Sequence, residues 1–457
     1  MKNRYLYITL LSVLSLHAEA QQQAEAGQVP RLVVNIIIDQ LRSDYLEFFE
    51  PTYGEEGFKK LLAEGMVFEH GSYPFDDIDR ASAISSVFTA TSPFYHEITG
   101  EQWIDRETLR RIYCTDSPTQ SSAPSPRHLA VSTIGDELKI ATEGKAKVYA
   151  IAPTSDAAIL SAGHAADGAF WADVQNKGWK GSQYYSNFSP AWLLNFNQLS
   201  KKSKRKKKQQ EQWLLQLNNN VTELARQCIA NEALGQDTIP DMLCLTYDAG
   251  KNNQFAYHQI DEAIGSLISH VESTIGSGNT LYVVTSTGYH QTQPADYERY
   301  HIPTGTFYIN RAANLLNMYF GALWGQGKYV DACFKNQIYL NHQLLESKRI
   351  SLADAHQRAQ EFILQMAGAK RVTGSIYEKH KGDLQVEVAP GWHLQNEDTH
   401  EDQQIQWAAH SFPIIIYRKG TPSRKVETPV SIERIAPTIA KAIRIRAPNA
   451  CLSEPLF

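Results

Sequence analysis

The chain has little net charge and no long apolar run beyond its N-terminus. A formal net charge of −5 over 457 residues gives no reason to expect a general affinity for nucleic acid. After the first 20 residues, no segment approaches the roughly 18 uninterrupted apolar residues of a membrane-spanning helix, so we expect none in the mature protein. A composition of 42% hydrophobic and 10% aromatic residues is nevertheless sufficient for a large buried core.

Cysteine is also scarce, and its spacing is uninformative. None of the five cysteines forms a C-x-x-C pair, and the odd number leaves at least one thiol unpaired even in a compartment that permits disulfides. We expect most of them to be buried as small hydrophobic residues. They are Cys114, Cys228, Cys244, Cys333 and Cys451.

The N-terminus has the pattern of a secretion signal. Lys2 and Arg4 precede a short apolar stretch, and Ala18 and Ala20 fit a small-x-small cleavage site. No cysteine follows that site, so a lipoprotein anchor is not expected. We predict a signal peptide at residues 1–20, a single domain at residues 21–457, and a periplasmic or secreted location.

Apolar strand-like runs alternate with helical stretches along the chain. The predicted strands are 32–38, 147–151, 242–246, 280–285 and 412–417, and the predicted helices include 57–64, 134–142, 254–275, 352–366 and 432–443. This alternation favours an α/β fold with a mostly parallel sheet covered on both faces by helices. Sites in such sheets form at the carboxyl ends of strands, so Asp39, Asp248 and Ser286 are expected to be neighbours.

One low-complexity segment, at residues 201–208, is almost entirely basic. It is typical of a solvated loop, and it is alternatively an anion-binding segment for phospholipid headgroups, lipopolysaccharide phosphates or an acidic protein. The candidate anion-binding residues are Lys201, Lys202, Lys204, Arg205, Lys206, Lys207 and Lys208.

Six further segments carry a family resemblance. They read VNIIIDQLRSDY (34–45), TATSPFYHEI (89–98), AGHAAD (162–167), NQIYLN (336–341), RIAPTIA (434–440) and CLSEPLF (451–457). Together they resemble the periplasmic alkaline phosphatases of the nucleotide pyrophosphatase/phosphodiesterase type, within the alkaline phosphatase superfamily. The resemblance is greatest to the phosphate-irrepressible branch of Bacteroidetes-like bacteria. It implies an alkaline-phosphatase-like sheet, two zinc ions held by Asp and His, and a Thr nucleophile.

The family pattern assigns roles to positions of this chain, and most of those positions carry other residues. Asp39 matches the first metal carboxylate and is retained. The nucleophile position, nine residues before Thr89, holds Arg80, which cannot form a phosphoenzyme. A hydroxyl two positions away, on Ser82, is the nearest alternative nucleophile.

The remaining metal positions are exchanged as well. Tyr247 and Lys251 stand where the family has Asp and His, with Asp248 one position out of register. Ser286 and Thr287 stand where the family has an Asp-His pair. Both hydroxyls are poor zinc ligands.

The last His position holds Glu401, next to His400, and His290 follows the exchanged Asp-His pair. Asp248, His290 and His400 are therefore the possible substitute ligands. If most ligands are lost, zinc is not expected, because each ion needs three or four N, O or S donors. Two readings of Asp39 stay open: a residual metal site, or a carboxylate that caps a helix or pairs with Arg42 or Lys251.

The groups that would bind substrate in the family are also replaced. The Lys-x-Arg clamp becomes Thr154-Ser155-Asp156, and the Asn that contacts phosphate becomes Glu101. These exchanges make the local charge more negative, which disfavours an anionic substrate. Arg80 and Lys251 beside Asp39 are expected to form an ion-pair cluster in place of the zinc pair. The basic segment replaces much of the family's lid.

These exchanges predict a secreted pseudophosphatase that binds an envelope protein or an anionic surface and has no cofactor. The alternative is a divergent metal-dependent phosphoesterase with zinc on Asp39, Asp248, His290 and His400 or Glu401. A sulfatase-like or phosphotransferase activity would need a Cys/Ser nucleophile motif, which is missing.

Overall fold

The computed structural model describes residues 28–116, 123–201, 208–250, 253–291, 297–374, 379–399, 401–403, 406–408 and 410–457. The predicted signal peptide, Lys251, His400 and most of the basic segment lie outside these residues. In the described part of the chain, no helix is long and apolar enough to cross a membrane. All five cysteines are described, and all five are free thiols.

In the described part of the chain, ten strands form one large sheet and the other eleven form four smaller sheets. The strands are β1 Leu32–Asp39, β2 Met66–Ser72, β3 Gln102–Ile104, β4 Arg111–Tyr113, β5 Val148–Ala152, β6 Gly168–Asp173, β7 Gly178–Gly181, β8 Asp241–Asp248, β9 Thr280–Ser286, β10 Tyr289–Gln291, β11 Gly305–Tyr308, β12 Val330–Phe334, β13 Gln337–Leu340, β14 Ala369–Gly374, β15 Leu384–Val388, β16 Trp392–Asn396, β17 Glu401–Gln403, β18 Gln406–Ala408, β19 Phe412–Tyr417, β20 Arg424–Val426 and β21 Val430–Ser431.

Helices cover both faces of that sheet. They are α1 Ser43–Phe48, α2 Phe58–Glu64, α3 Arg80–Thr89, α4 Pro93–His96, α5 Ile134–Ala141, α6 Ser155–Ala162, α7 Ala191–Lys201, α8 Lys208–Leu215, α9 Leu217–Glu232, α10 Gln254–Ile275, α11 Ile309–Trp324, α12 His342–Ser347, α13 Leu352–Ile363 and α14 Ile435–Ile443.

The main sheet has the order β20-β2-β19-β9-β1-β8-β5-β6-β7, with β21 paired to β2. Its centre, β9-β1-β8-β5-β6, is parallel. The predicted α/β fold with a mostly parallel sheet between helices is confirmed. All five predicted strands and all five predicted helices are present, with ends that differ by a few residues.

Alternation along the central strands divides the core into two layers. In β1, Val33 and Ile37 belong to the apolar cluster that includes residues of α3, α6 and α14. Val34 and Ile36 belong to the opposite cluster, which includes residues of α9 and α10. Because side chains alternate with a period of two, Asp39 at the end of β1 lies on the same face as Val33 and Ile37, beneath α3 and α6.

A smaller lobe between β10 and β18 was not predicted from the sequence. It contains the sheets β12-β13-β15-β14 and β11-β16-β17 and an apolar core of its own from α11, α13 and these strands. Ile104 of β3 packs against Phe334 and Tyr339 of the lobe, so the lobe contacts the β3–β4 hairpin of the main body. That residues 21–457 form one domain stays a prediction.

Candidate active site

The start of α3 places Arg80 over the carboxyl ends of the central strands. Asp79 caps the helix: its side chain accepts a hydrogen bond from the Ser82 amide, and the Ser82 hydroxyl in turn accepts one from the Asp79 amide at 3.0 Å. This reciprocal capping fixes the first turn of the helix. Ser82 is fully buried and engaged in the cap, so its hydroxyl serves the helix end rather than the pocket.

Arg80 makes ion pairs with three carboxylates. Its Nε donates to Asp156 Oδ2 at 2.7 Å, its Nη2 donates to Glu101, and its Nη1 lies 3.5 Å from Asp39 Oδ2. The Arg80 side chain is 19% exposed. Burial opposes its charge, but the three carboxylates outweigh burial and raise the pKa of Arg80 above its usual value.

Asp156 is the most enclosed member of this cluster. Its side chain is fully buried, and Tyr113 donates a hydrogen bond to its second oxygen at 2.9 Å. Burial opposes ionisation, but the charge of Arg80 and the hydrogen bonds hold the pKa of Asp156 below its usual range. Asp156 is therefore the partner of Arg80 that stays ionised at neutral pH.

Asp39 and Glu101 share the same guanidinium and are less well compensated. Burial raises the pKa of Asp39 to about 6, although Arg80 and hydrogen bonds from Thr287 and Tyr289 act in the opposite direction. Burial likewise raises the pKa of Glu101 to about 7, with Arg80 again opposing. One guanidinium cannot fully neutralise three carboxylates, so the cluster keeps an excess of negative charge at neutral pH.

The strand register brings Asp248 beside Asp39. β8 pairs in parallel with β1, and Asp248 lies opposite Asp39. Burial raises the pKa of Asp248, and its charge contributes to the raised pKa of Asp39. Tyr247, the residue assigned to a ligand position, belongs to the core of the opposite face, where its hydroxyl is 2.8 Å from that of Thr222.

At the end of β9, the hydroxyl groups of Ser286 and Thr287 donate hydrogen bonds to different partners. Ser286 donates its hydroxyl hydrogen to the Leu41 carbonyl at 2.8 Å, whereas Thr287 donates to Asp39 Oδ1 at 2.8 Å. In β10, Tyr289 hydrogen-bonds Asp39 and the next side chain, His290, packs its ring 4.1 Å from that of His410. Burial, His410 and Arg42 lower the pKa of His290 to about 4.

Four other residues singled out by the sequence lie outside the Arg80 cluster. Arg42 pairs with Asp44 and not with Asp39. Glu401 belongs to β17, on the lobe. His96 and His164, matched framework residues, are both structural. His96 is buried between Ser86 and the Ile98 amide, and His164 bridges Asp136 and the Leu129 carbonyl.

The side chains in this pocket do not fit the family's two zinc ions. Of the family's ligand positions, Asp39 retains a carboxylate, and the guanidinium of Arg80 lies within 3.5 Å of it. A second cation at that distance would be repelled by the first. Among the residues that the structure describes, no group of three or more His, Cys, Asp or Glu side chains is arranged to hold a metal ion.

Comparison with known proteins gives the family. Residues 33–413 match the family described as type I phosphodiesterase / nucleotide pyrophosphatase. The chain belongs to this family. It is 24% identical over 523 positions to a calcium-transporting ATPase of Myroides odoratus, with 95% of each chain covered. It is also 24% identical over 525 positions to the alkaline phosphatase PafA of Elizabethkingia meningoseptica, again with 95% of each covered.

The fold of this family member is also that of a solved relative. A crystal structure of an alkaline phosphatase PafA matches it with a TM-score of 0.78 at 21% identity, covering 94% of this chain and 98% of that one. The resemblance to the alkaline phosphatase superfamily is therefore confirmed. The aligned lengths exceed the 457 residues of this chain, so these relatives contain segments that this family member lacks.

Sequence reasoning missed that Asp156 and Glu101 are the partners of Arg80. It treated them as charges that repel substrate, and it expected Arg80 and Lys251 together to form an ion-pair cluster with Asp39. The signal was available in the pattern of exchange: a neutral position became basic while neighbouring basic and amide positions became acidic. Such a coupled reversal of charge is what a replacement ion-pair network requires.

Proposed function

We propose that this member of the phosphodiesterase / nucleotide pyrophosphatase family does not hydrolyse phosphate esters and acts by binding. The observation that carries the proposal is the position of Arg80, at the start of α3, with ion pairs to Asp39, Asp156 and Glu101. A guanidinium occupies the place that the family resemblance assigns to a nucleophile. It is a permanent cation and forms no phosphoenzyme.

The carboxylates around Arg80 also disfavour the binding of a phosphate ester. A phosphate ester entering the cluster would displace or compete with carboxylates that already neutralise the guanidinium. Asp156 remains ionised, and Glu101, whose side chain is 30% exposed, stands at the outer side of the pocket. The network supplies an internal counter-charge for Arg80 and leaves an excess of negative charge toward solvent, which disfavours phosphate.

The predicted secretion signal at residues 1–20 supports a location of this binding function in the periplasm or outside the cell. A binding protein there would engage an envelope protein or an anionic surface. The proposed loss of catalysis does not depend on whether the partner is an envelope protein or an anionic surface. Catalysis and partner binding are therefore tested separately.

The decisive experiment combines metal content with hydrolysis. The chain from residue 21 is loaded with zinc, desalted and analysed for bound metal, and phosphate monoesters and diesters are then offered with zinc present. We expect no stoichiometric zinc and no hydrolysis above background. About two zinc ions per chain, with hydrolysis that disappears in Asp39→Asn, would overturn the proposal. The control is Asp354→Asn, an exposed carboxylate on the lobe, which separates activity of this pocket from a contaminating phosphatase.

A second candidate, a divergent metal-dependent phosphoesterase, has one specific observation in its favour. Asp39 and Asp248 lie opposite each other on adjacent parallel strands, and both have a raised pKa, so a cation between them would be stabilising. This candidate requires hydrolysis that depends on both carboxylates. Loss of activity in Asp39→Asn and in Asp248→Asn, with Glu101→Gln still active, would establish it over the binding proposal.

A further inference from the structure

A short segment of the lobe, residues 379–383, contacts the main body beside the Arg80 cluster. Its sequence is KHKGD. The Lys381 ammonium lies 3.6 Å from a carboxylate oxygen of Asp77, in the loop before α3. Arg106, between β3 and β4, donates a hydrogen bond to the Lys381 carbonyl at 2.8 Å. The 379–383 segment therefore holds the lobe against both the start of α3 and the β3–β4 hairpin.

Three aromatic rings meet where this segment touches β3. Trp103 of β3 is only 2% exposed. The imidazole of His380 stacks on the indole of Trp103, with ring centroids 4.9 Å apart. The imidazole of His128, from the main body, meets the indole almost at a right angle, with centroids 5.4 Å apart. Trp103 follows Glu101 by two residues, so this three-ring contact adjoins the outer side of the Arg80 cluster.

Charged side chains face the two histidines of the three-ring contact. They are Glu97, Asp105, Asp116 and Lys379. Glu97 Oε2 accepts a hydrogen bond from the Lys379 ammonium at 2.9 Å, and the same oxygen lies 3.4 Å from His380 Nε2. One carboxylate is thus shared between the lysine and the imidazole. If both histidines carried a proton, three cations would crowd this contact, and like charges at such range repel.

Both histidines are largely neutral at pH 7 because of their burial. Burial lowers the pKa of His380, and the charge of Lys379 acts in the same direction while Glu97 opposes both. Burial lowers the pKa of His128 as well, with Asp116 opposing. The indole face attracts a charged ring, but less strongly than burial of an ion opposes it. A histidine with a lowered pKa stabilises the closed contact above its ordinary value of about 6.5, and this contribution is lost as the pH falls.

We propose that the three-ring contact is a pH-sensitive latch between the lobe and the main body. Protonation of His128 and His380 in mildly acidic surroundings releases the 379–383 segment and uncovers the outer side of the Arg80 cluster. Access of a partner to the cluster therefore rises as the pH falls. The proposal goes beyond the binding function and holds whether or not the cluster hydrolyses phosphate esters.

Asp77 acts in the direction opposite to the two histidines. Burial raises the pKa of Asp77, with Lys381 opposing. A carboxyl with a raised pKa stabilises the closed contact increasingly as the pH falls. Removing the titration of Asp77 should therefore enlarge the release of the segment, whereas removing the titration of the histidines should abolish it.

The first experiment follows hydrogen exchange of the chain from residue 21 by mass spectrometry between about pH 7 and 5. Protection is expressed relative to an unstructured peptide at the same pH, which removes the intrinsic pH dependence of exchange. We expect the protection of the β3–β4 hairpin and of the 379–383 segment to fall by about five-fold or more over this range, while that of β1 is unchanged. Constant or rising protection of the hairpin, or an equal fall in β1, would overturn the proposal.

Two double variants remove the titrating groups. His128→Phe/His380→Phe keeps three rings in contact, and the protection of its hairpin should no longer fall between about pH 7 and 5. His128→Gln/His380→Gln removes the same titration without placing a larger ring beside Trp103. The change of protection with pH, and not its level, is the readout. Either variant that folds and still releases the hairpin as the unaltered chain does would overturn the proposal.

Two further variants control the direction and the specificity of the response. Asp77→Asn should enlarge the fall in protection by about two-fold or more. His258→Gln is the matched control, because His258 on α10 is 47% exposed and pairs with Glu262, and it should respond as the unaltered chain does. Glu101, which also titrates in this range, is present in every variant, so its contribution cancels in the comparison. A response that His258→Gln also abolishes would not belong to the three-ring contact and would overturn the proposal.

Discussion

The guanidinium of Arg80 lies 3.5 Å from the carboxylate of Asp39, the residue at which the family resemblance places a zinc ligand. In this ion pair, the side-chain cation of Arg80 stands beside Asp39, where the family resemblance implies a bound zinc ion. It also explains why Glu101 and Asp156 are acidic, since a buried guanidinium without counter-charges would be costly. The four residues form one network whose members cannot be exchanged independently.

Replacing Arg80 by Met should lower the free energy of unfolding by about 3–5 kcal/mol at pH 7. The change leaves Asp156, which is fully buried, and Asp39, which is 5% exposed, without a cation. Urea denaturation monitored by tryptophan fluorescence measures the difference. The loss should shrink as the pH falls toward 5, because the uncompensated carboxylates become protonated.

The matched control is Arg358→Met. Arg358 pairs with Asp354 on the lobe, where the two side chains are 41% and 43% exposed, and exposed pairs contribute at most about 1 kcal/mol. Equal effects of the two substitutions would show that Arg80 is an ordinary surface cation and that the network is not a structural unit.

Five of the ten strands of the main sheet could be predicted from the sequence, because these five are largely continuous apolar runs. Leu32–Asp39 is buried at every position, which is the pattern of a central parallel strand. The lobe could not be predicted in this way. Its strand Ala369–Gly374 buries one position of six and contains charged residues, and its strand Gln337–Leu340 is only four residues long. Neither length nor periodicity therefore separates these segments from loops.

At the site, the sequence identified which positions had changed but not which partners replaced them. Asp248 was treated as one position out of register, with Tyr247 in the ligand position. The parallel pairing of β8 with β1 places Asp248 beside Asp39, and alternation turns Tyr247 to the other face. A shift of one residue moves a side chain to the opposite face of the sheet. Only the observed strand pairing shows that Asp248, and not Tyr247, lies on the face of Asp39.

Replacing Tyr113 by Phe should lower the free energy of unfolding by about 1–3 kcal/mol. The Tyr113 hydroxyl donates to the fully buried carboxylate of Asp156, and the substitution removes that donor while it keeps the ring. Tyr53→Phe is the control, because the buried Tyr53 hydroxyl has no hydrogen-bond partner among the residues that the structure describes, and its removal should be neutral or stabilising. Chemical denaturation of both variants makes the comparison, and a larger loss in Tyr53→Phe would contradict it.

Replacing Glu101 by Gln should make stability less dependent on pH between about 4.5 and 7. Burial raises the pKa of Glu101 from 4.5 to about 7. A carboxyl with a raised pKa contributes stability that is fully present below the unfolded value and is lost as the pH rises through the folded value. Because Gln does not titrate, the variant should gain about 1–2 kcal/mol relative to the unaltered chain across this range.

The measurement for Glu101→Gln is a series of urea denaturation curves at intervals of pH, analysed as the difference between the two proteins. Taking the difference removes the contributions of all other titrating groups. A difference that stays constant from pH 4.5 to 7 would show that Glu101 is ionised throughout, and hence that Arg80 compensates it fully.

Replacing Asp383 by Asn should destabilise the lobe and its contact with the β3–β4 hairpin by about 3–5 kcal/mol at pH 7. Asp383 is 1% exposed and accepts hydrogen bonds from Leu340, His342 and Arg106 at 2.6, 2.6 and 3.0 Å. Arg106 belongs to the hairpin that follows Glu101, so the change should loosen the contact between lobe and main body. Proteolysis of the lobe and denaturant unfolding both report this effect.

The pH dependence of Asp383→Asn distinguishes a lost charge from lost packing. Burial opposes ionisation, but the hydrogen bond from His342, the nearby His356 at 3.9 Å and the charge of Arg106 lower the pKa of Asp383. A lowered pKa contributes stability that is present above the unfolded value and is lost as the pH falls. The destabilisation should therefore be complete at pH 7 and shrink below about 4. Asp354→Asn, at an exposed pair, should cost less than about 1 kcal/mol at pH 7. A loss in Asp383→Asn that is equally large at pH 3 would assign the effect to packing instead.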